Sequence, residues 1–174
     1  MFEGYAGTSD SGFRAEVESE QAMARGEDLL AMIDQHEHNH LTGPGAPEAA
    51  ARLAVFAERG RFTGQVTADR RRVQRLMNRH DPAIYPGTYV TCIYNHAKAL
   101  CVRSTGPDRG TCRPLECRNA ASTTANRDAL GGELDRINAS LTSTSALPPY
   151  LQHILTARRD AITAFLASQQ QETP

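Results

Sequence analysis

The chain is predicted to be mainly α: a helical bundle or set of helical hairpins with a small β-hairpin and loop forming a four-cysteine metal-binding insertion. Three observations predict it. Apolar residues recur at three- and four-residue steps in several separate stretches. The one stretch rich in β-branched and aromatic residues, "TYVTCIYN", is short. All four cysteines, Cys92, Cys101, Cys112 and Cys117, fall within one segment of 26 residues. At 174 residues and 40% apolar, the chain is long enough for one core of real size, or for a helical domain with a small satellite.

Taken in order, "MFEGYAGTSDSG" is rich in Gly and Ser, so residues 1–11 form an irregular lead-in. Phe13, Val17, Met23, Leu29, Met32 and Ile33 then follow at helical spacing, which predicts a helix over about residues 12–38 with Gly26 as its weak point. "LTGPGAPE" breaks it, and Pro47 is placed to open the next helix, which carries Leu53 and Phe56 to about residue 60. A third helix spans about 67–80, with Val73, Leu76 and Met77 on one side and Arg71, Arg72, Arg75 and Arg79 on the other. Pro82 ends it by disfavouring a helical Asp81. This N-terminal helical region covers 12–87.

Residues 88–120 hold the cysteines. "TYVTCIYN" and "ALCVRS", separated by "HAK", predict a hairpin; "TCRPLECRN" is too short and Pro-interrupted for a regular element. Over 121–168 the helical signal returns. Leu130, Leu134, Ile137 and Leu141 form one stripe, and Tyr150, Leu151, Ile154, Leu155, Ile162, Phe165 and Leu166 another, parted by Pro148 and Pro149. Two such helices joined by a short loop predict an antiparallel hairpin. The "SQQQETP" end, residues 169–174 above all, reads as a frayed tail.

The net charge of -1 conceals a segregation. Residues 1–40 carry nine acidic side chains against Arg14 and Arg25, whereas residues 50–80 carry eight arginines against Glu58 and Asp69. Arginine suits bidentate phosphate recognition, although a GC-rich coding sequence, which enriches alanine as well, accounts for the bias at least equally well. No apolar run reaches the roughly 20 residues that cross a bilayer, so no membrane association is expected. The N-terminus lacks the pattern of a secretory signal, and a cytoplasmic location is the expectation.

That expectation bears on the thiols. Cys-x8-Cys-x10-Cys-x4-Cys supplies four soft ligands from a hairpin and a loop, the donor set of a closed, structural zinc site with no position left for a reactive water. An iron–sulfur cluster takes the same ligands, but the spacing is not that of compact ferredoxin runs. Two disulfides, or four unligated thiols, are the other readings, and a reducing cytosol argues against the first. His96 lies between Cys92 and Cys101 and is a replacement ligand or an exposed turn residue. Arg103, Arg113 and Arg118 surround the cluster, placed to offset thiolate charge or meet phosphate.

Other candidates are weaker. His36, His38 and His40 in "HEHNH" suit a helix end better than a metal site. The Arg71, Arg72, Arg75 and Arg79 face can follow a phosphate backbone or simply be solvated. His80 and Asp81 read as a helix terminus. No phosphate loop, nucleophile elbow or carboxylate pair rises above chance.

"MFEGYAGTSDSGF", "YPGTYVTCIYNHAKALC" and "CRPLECRN" together resemble the C-terminal extension of phage-type integrases, the tyrosine recombinases of actinobacterial mobile elements. The resemblance implies that Tyr5, in "EGYAG", stands where the family's nucleophilic tyrosine lies. The family's activating arginines, lysine and histidines lie upstream of that tyrosine, and only four residues precede Tyr5. The implied function is therefore non-catalytic: a zinc-binding helical module of DNA integration that contacts DNA, through Arg71, Arg72, Arg75, Arg79, Arg113 and Arg118, or contacts a recombinase subunit or itself. The alternatives are a free-standing zinc-stabilised protein adaptor and a redox- or iron-sensing regulator.

Overall fold

A computed structural model describes residues 13–34, 40–60, 70–101, 106–108, 110–143 and 147–170. Among these lie five α-helices and three short strands: α1 (Phe13–Asp34), α2 (Ala46–Gly60), α3 (Arg70–His80), β1 (Ile84–Tyr85), β2 (Thr91–Ile93), β3 (Ala120–Ala121), α4 (Thr124–Ser143) and α5 (Pro149–Gln170). One-turn 3-10 helices occupy His96–Lys98 and Pro114–Glu116. The fold is mainly α, and no helix among the described residues is long and apolar enough to cross a membrane.

Two hydrophobic cores result from the periodicities. In the first, Leu29, Met32 and Ile33 of α1 meet Leu53 and Phe56 of α2 and Val73 and Met77 of α3, closed by Ile84, Ile93 and Ala121. The second is built by Leu130 and Ile137 of α4 against Ile162 and Phe165 of α5, with Ala120 beneath them. Burying each large side chain contributes about 1.5–3 kcal/mol. The apolar stripes are not buried throughout, however: Val17 of α1 and Tyr150, Leu151 and Ile154 at the start of α5 remain exposed.

The sheet separates the two cores. β2 is central and antiparallel to both neighbours, pairing Ile84 with Ile93, Tyr85 with Cys92, Cys92 with Ala120 and Thr91 with Ala121. Directly opposed residues share a face and successive ones alternate. Ile84, Ile93, Thr91 and Ala121 therefore face the first core, and Tyr85, Cys92 and Ala120 face the other way. The strand partners differ from the predicted hairpin. "HAK" is a 3-10 turn, Ala99, Leu100 and Cys101 form no strand, and β2 pairs instead with residues before and far after it. The asparagine at 95 explains the turn: its side chain accepts from the Ala97 amide at 3.1 Å and so starts a helix-like turn where a hairpin would continue the strand.

Polar contacts fasten the halves. Thr42 and Ser122 exchange backbone bonds of 3.0 and 2.9 Å. Gln169 accepts from Thr42 Oγ1 at 2.8 Å and donates to Ser122 Oγ at 3.1 Å. Gln169 is buried and α5 runs through Gln170, so the fraying expected at residues 168 and 169 does not occur there; residues 171–174 lie outside the described residues. The turn into α2 passes close to β3, with Gly45 N donating to Ala120 O at 2.8 Å. A Cβ on Gly45 would lie 3.0 Å from the carbonyl oxygens of both Asn119 and Ala120, which is why this position has no side chain.

Candidate metal centre

Cys92 is held by the central strand, on the face that looks away from the first core. Cys101 is buried just beyond the 3-10 turn at His96–Lys98, and Cys112 and Cys117 flank the turn at Pro114–Glu116. Pro114 opens that last turn, and its carbonyl accepts from the Cys117 amide at 3.4 Å. The Cys117 carbonyl in turn accepts from the Ala120 amide at 3.1 Å, so Cys117 is delivered to the sheet by the chain that enters β3. Ahead of Cys112, Asp108 accepts from the Gly110 amide and the Thr111 hydroxyl at 3.1 and 3.0 Å and sets a tight turn.

A polar brace from α2 fixes the same region. Glu48 accepts from Lys98 Nζ at 2.7 Å and from Asn95 Nδ2 at 3.1 Å, and pairs with Arg52 one turn along its own helix. Arg52 also donates to the carbonyls of Pro82 and Tyr94, both at 3.0 Å. Asn95 O accepts from Asn119 Nδ2 at 3.0 Å. The segment between Cys92 and Cys101 is thereby tied both to α2 and to the residue two places after Cys117. Asn119 is buried, and its Oδ1 has no hydrogen-bond partner among the described residues.

The four thiols share one electrostatic neighbourhood. Burial first, and then the charges of Cys117, Cys112 and Cys101, together push the Cys92 thiol up to about 12 from the ordinary 9.0, while Arg52 opposes them. Cys112 is raised by burial first, then by Cys101, Cys117 and Asp108. All four are free thiols. Among the described residues, no three His, Cys, Asp or Glu side chains stand as a group ready to hold a metal ion. The donor set nonetheless fits a thiophilic divalent cation. Mutual repulsion opposes ionisation of Cys92 and Cys112, and a cation among the sulfurs reverses that sign.

The other predicted positions distribute as follows. Val73 and Met77 are buried, and Arg71, Arg75 and Arg79 are exposed on α3 opposite them; Arg72 lies on the same helix, with its side chain outside the described residues. Arg113 and Arg118 are exposed beside the cysteines, and Arg113 pairs with Glu116 at 3.0 Å. His96 and His40 are exposed. His80 contacts Arg59, while Asp81 pairs with Arg25 and accepts from the Ala83 amide, as a helix terminus would. Tyr5, His36, His38 and Arg103 lie outside the described residues.

The brace of Glu48, Arg52, Asn95 and Asn119 was not predicted. Its one sequence signal was the four-residue spacing of Glu48 and Arg52, which pairs an acid with a base on one helix face. No family model matches the chain, and no curated protein and no solved structure matches it either.

Proposed function

We propose that this chain is a non-catalytic helical module in which one zinc ion, held by Cys92, Cys101, Cys112 and Cys117, staples a small sheet between two helical cores. The observation that carries the reading is the placement of four free thiols on the central strand and beside the two 3-10 turns, near enough that Cys92, raised first by burial, is raised further by each of the other three. Four sulfurs close the coordination sphere of zinc, so its contribution is folding energy and not a reactive water. An iron–sulfur cluster uses the same ligands and is the alternative occupant. Metal analysis of freshly purified protein tests this directly. The expected content is about one zinc per chain, and a brown, iron-containing protein would replace zinc by a cluster.

The module's setting, on the resemblance to integrase extensions, is DNA recombination in the cytoplasm. DNA or a recombinase subunit is the partner, with the exposed Arg71, Arg75 and Arg79 face, together with Arg72, Arg113 and Arg118, meeting phosphates. Binding to a duplex should fall steeply with salt and weaken when Arg71, Arg75 and Arg79 are replaced by Glu. A second reading, a zinc-stabilised protein adaptor, is favoured by one observation: Tyr150, Leu151 and Ile154 expose an apolar stripe on α5. Absence of DNA binding at low salt, with loss of protein association on Leu151→Asp, would select it.

A further inference from the structure

A second candidate site lies away from the cysteines, in the cleft where the end of α2 meets the end of α3. The cavity there is about 400 Å3 and is lined by Ala51, Val55, Phe56 and Pro82 on its apolar side and by Arg52, Arg59, Arg79, His80 and Asp81 on its polar side. That volume is in the range of small-ligand pockets. Val55 is 49% exposed, an uncovered aliphatic wall.

The polar groups divide into two sets. Arg52 is committed to Glu48 and to the Pro82 and Tyr94 carbonyls, and Asp81 is committed to Arg25 and the Ala83 amide. Arg59, Arg79 and His80 remain, and no carboxylate among the described residues pairs with either of these arginines. Arg59 abuts His80 Nδ1. A guanidinium supplies donors only, and the imidazole beside it offers a ring nitrogen on either side. The cleft thus presents two guanidinium groups and an imidazole, with its one acid paired to Arg25, beside an aliphatic wall.

We propose that this cleft binds a phosphate monoester carrying a compact apolar group, its oxyanion held by Arg59, Arg79 and His80 and its apolar part against Val55 and Pro82. Two forked guanidinium donors suit the three terminal oxygens and double charge of a phosphate monoester better than the two oxygens and single charge of a carboxylate. The wall asks for more than the anion. A bare phosphate leaves Val55 in water, whereas an attached ring covers it. The inference is independent of the metal reading, since neither Arg59 nor Val55 contributes to the cysteine site.

The test is titration of the full chain with phenyl phosphate, inorganic phosphate and phenol, followed by amide chemical shifts. Phenyl phosphate should bind saturably at one site, with shifts at residues 51–59 and 79–82, and roughly ten-fold more tightly than inorganic phosphate or phenol. Arg59→Gln and Val55→Asp, both at exposed positions, should each weaken it roughly ten-fold while leaving the remaining spectrum unchanged. Equal affinity for inorganic phosphate, an adventitious ion only, would overturn the proposal. So would binding that neither substitution alters, or no saturable binding.

Discussion

Gly26 of α1 lies against Val73 of α3 so closely that a Cβ at residue 26 would stand 2.6 Å from Val73 Cγ1 and 2.7 Å from Met77 Cγ. The glycine is the contact point at which two helices cross. Gly26→Ala gains about 1 kcal/mol of helix propensity, but forcing Val73 and Met77 apart costs about 1–3 kcal/mol. The expected outcome is a net loss of stability, read as a lower urea midpoint. Gly131 and Gly132 of α4 are the control, because a Cβ at either would meet nothing within 4 Å. Alanine at each should stabilise the protein by about 1 kcal/mol.

Asn126 joins α4 to the segment leading into β2. Its Oδ1 accepts from the Thr123 amide and the Thr91 hydroxyl, both at 3.1 Å, and its Nδ2 donates to the carbonyls of Gly87 and Thr88 at 2.6 and 3.0 Å. Thr123 Oγ1 accepts in return from the Asn126 amide at 3.1 Å, the reciprocal pattern of a capping box. Asn126→Ala removes the cap and strands buried partners, at a cost of about 2–4 kcal/mol. Thr123→Ala, which loses only the helix cap, should cost about 1 kcal/mol. Equilibrium denaturation of the two variants checks the difference.

Glu48 sets an acid limit on the brace. Its hydrogen bond from Lys98 holds the carboxyl down to about 2 from the ordinary 4.5, with help from Asn95 and from the charge and hydrogen bond of Arg52, against the opposing effect of burial. A depressed carboxyl contributes stability that is complete above its unfolded value and is lost as pH falls towards the folded one. The window is therefore about pH 4.5 down to about 2. Glu48→Gln should remove that share of the pH dependence of the denaturation midpoint and leave the rest. Lys98→Met should reduce it in part.

Metal removal supplies the fourth expectation. Chelation of the purified protein should lower its melting temperature, and zinc, but not magnesium, should restore it. On the proposed four-sulfur site, Cys92→Ser and Cys117→Ser should abolish the zinc response while His96→Ala, at an exposed turn position, leaves it intact. Thermal melts with and without chelator distinguish these cases.

The helices were legible because their apolar residues repeat every three to four positions over long stretches, and Pro47 marked the start of α2. The sheet was not. Ala120 and Ala121 carry no β-branched signal, and a strand of two residues has no period to detect. Four cysteines in one segment drew attention to residues 92–117, whereas the brace around that segment was hidden because the Asn95 and Asn119 side chains reach Glu48 and a backbone carbonyl remote in sequence, which leaves no motif. Gly26 was visible as a weak point of α1, but only α3 reveals why it is there. Gln169 looked like solvent-exposed tail and is buried, since burial of an amide depends on partners, Thr42 and Ser122, more than forty residues away in sequence.

Ala120 and Ala121 are adjacent in sequence yet belong to different cores, one to α4 and α5 and the other to the first three helices. Their allegiance is set by strand parity alone. Deleting one residue between Cys117 and Ala120 would exchange the two alanines and turn the strand inside out. The junction should therefore tolerate substitution by other small residues far better than any change in its length.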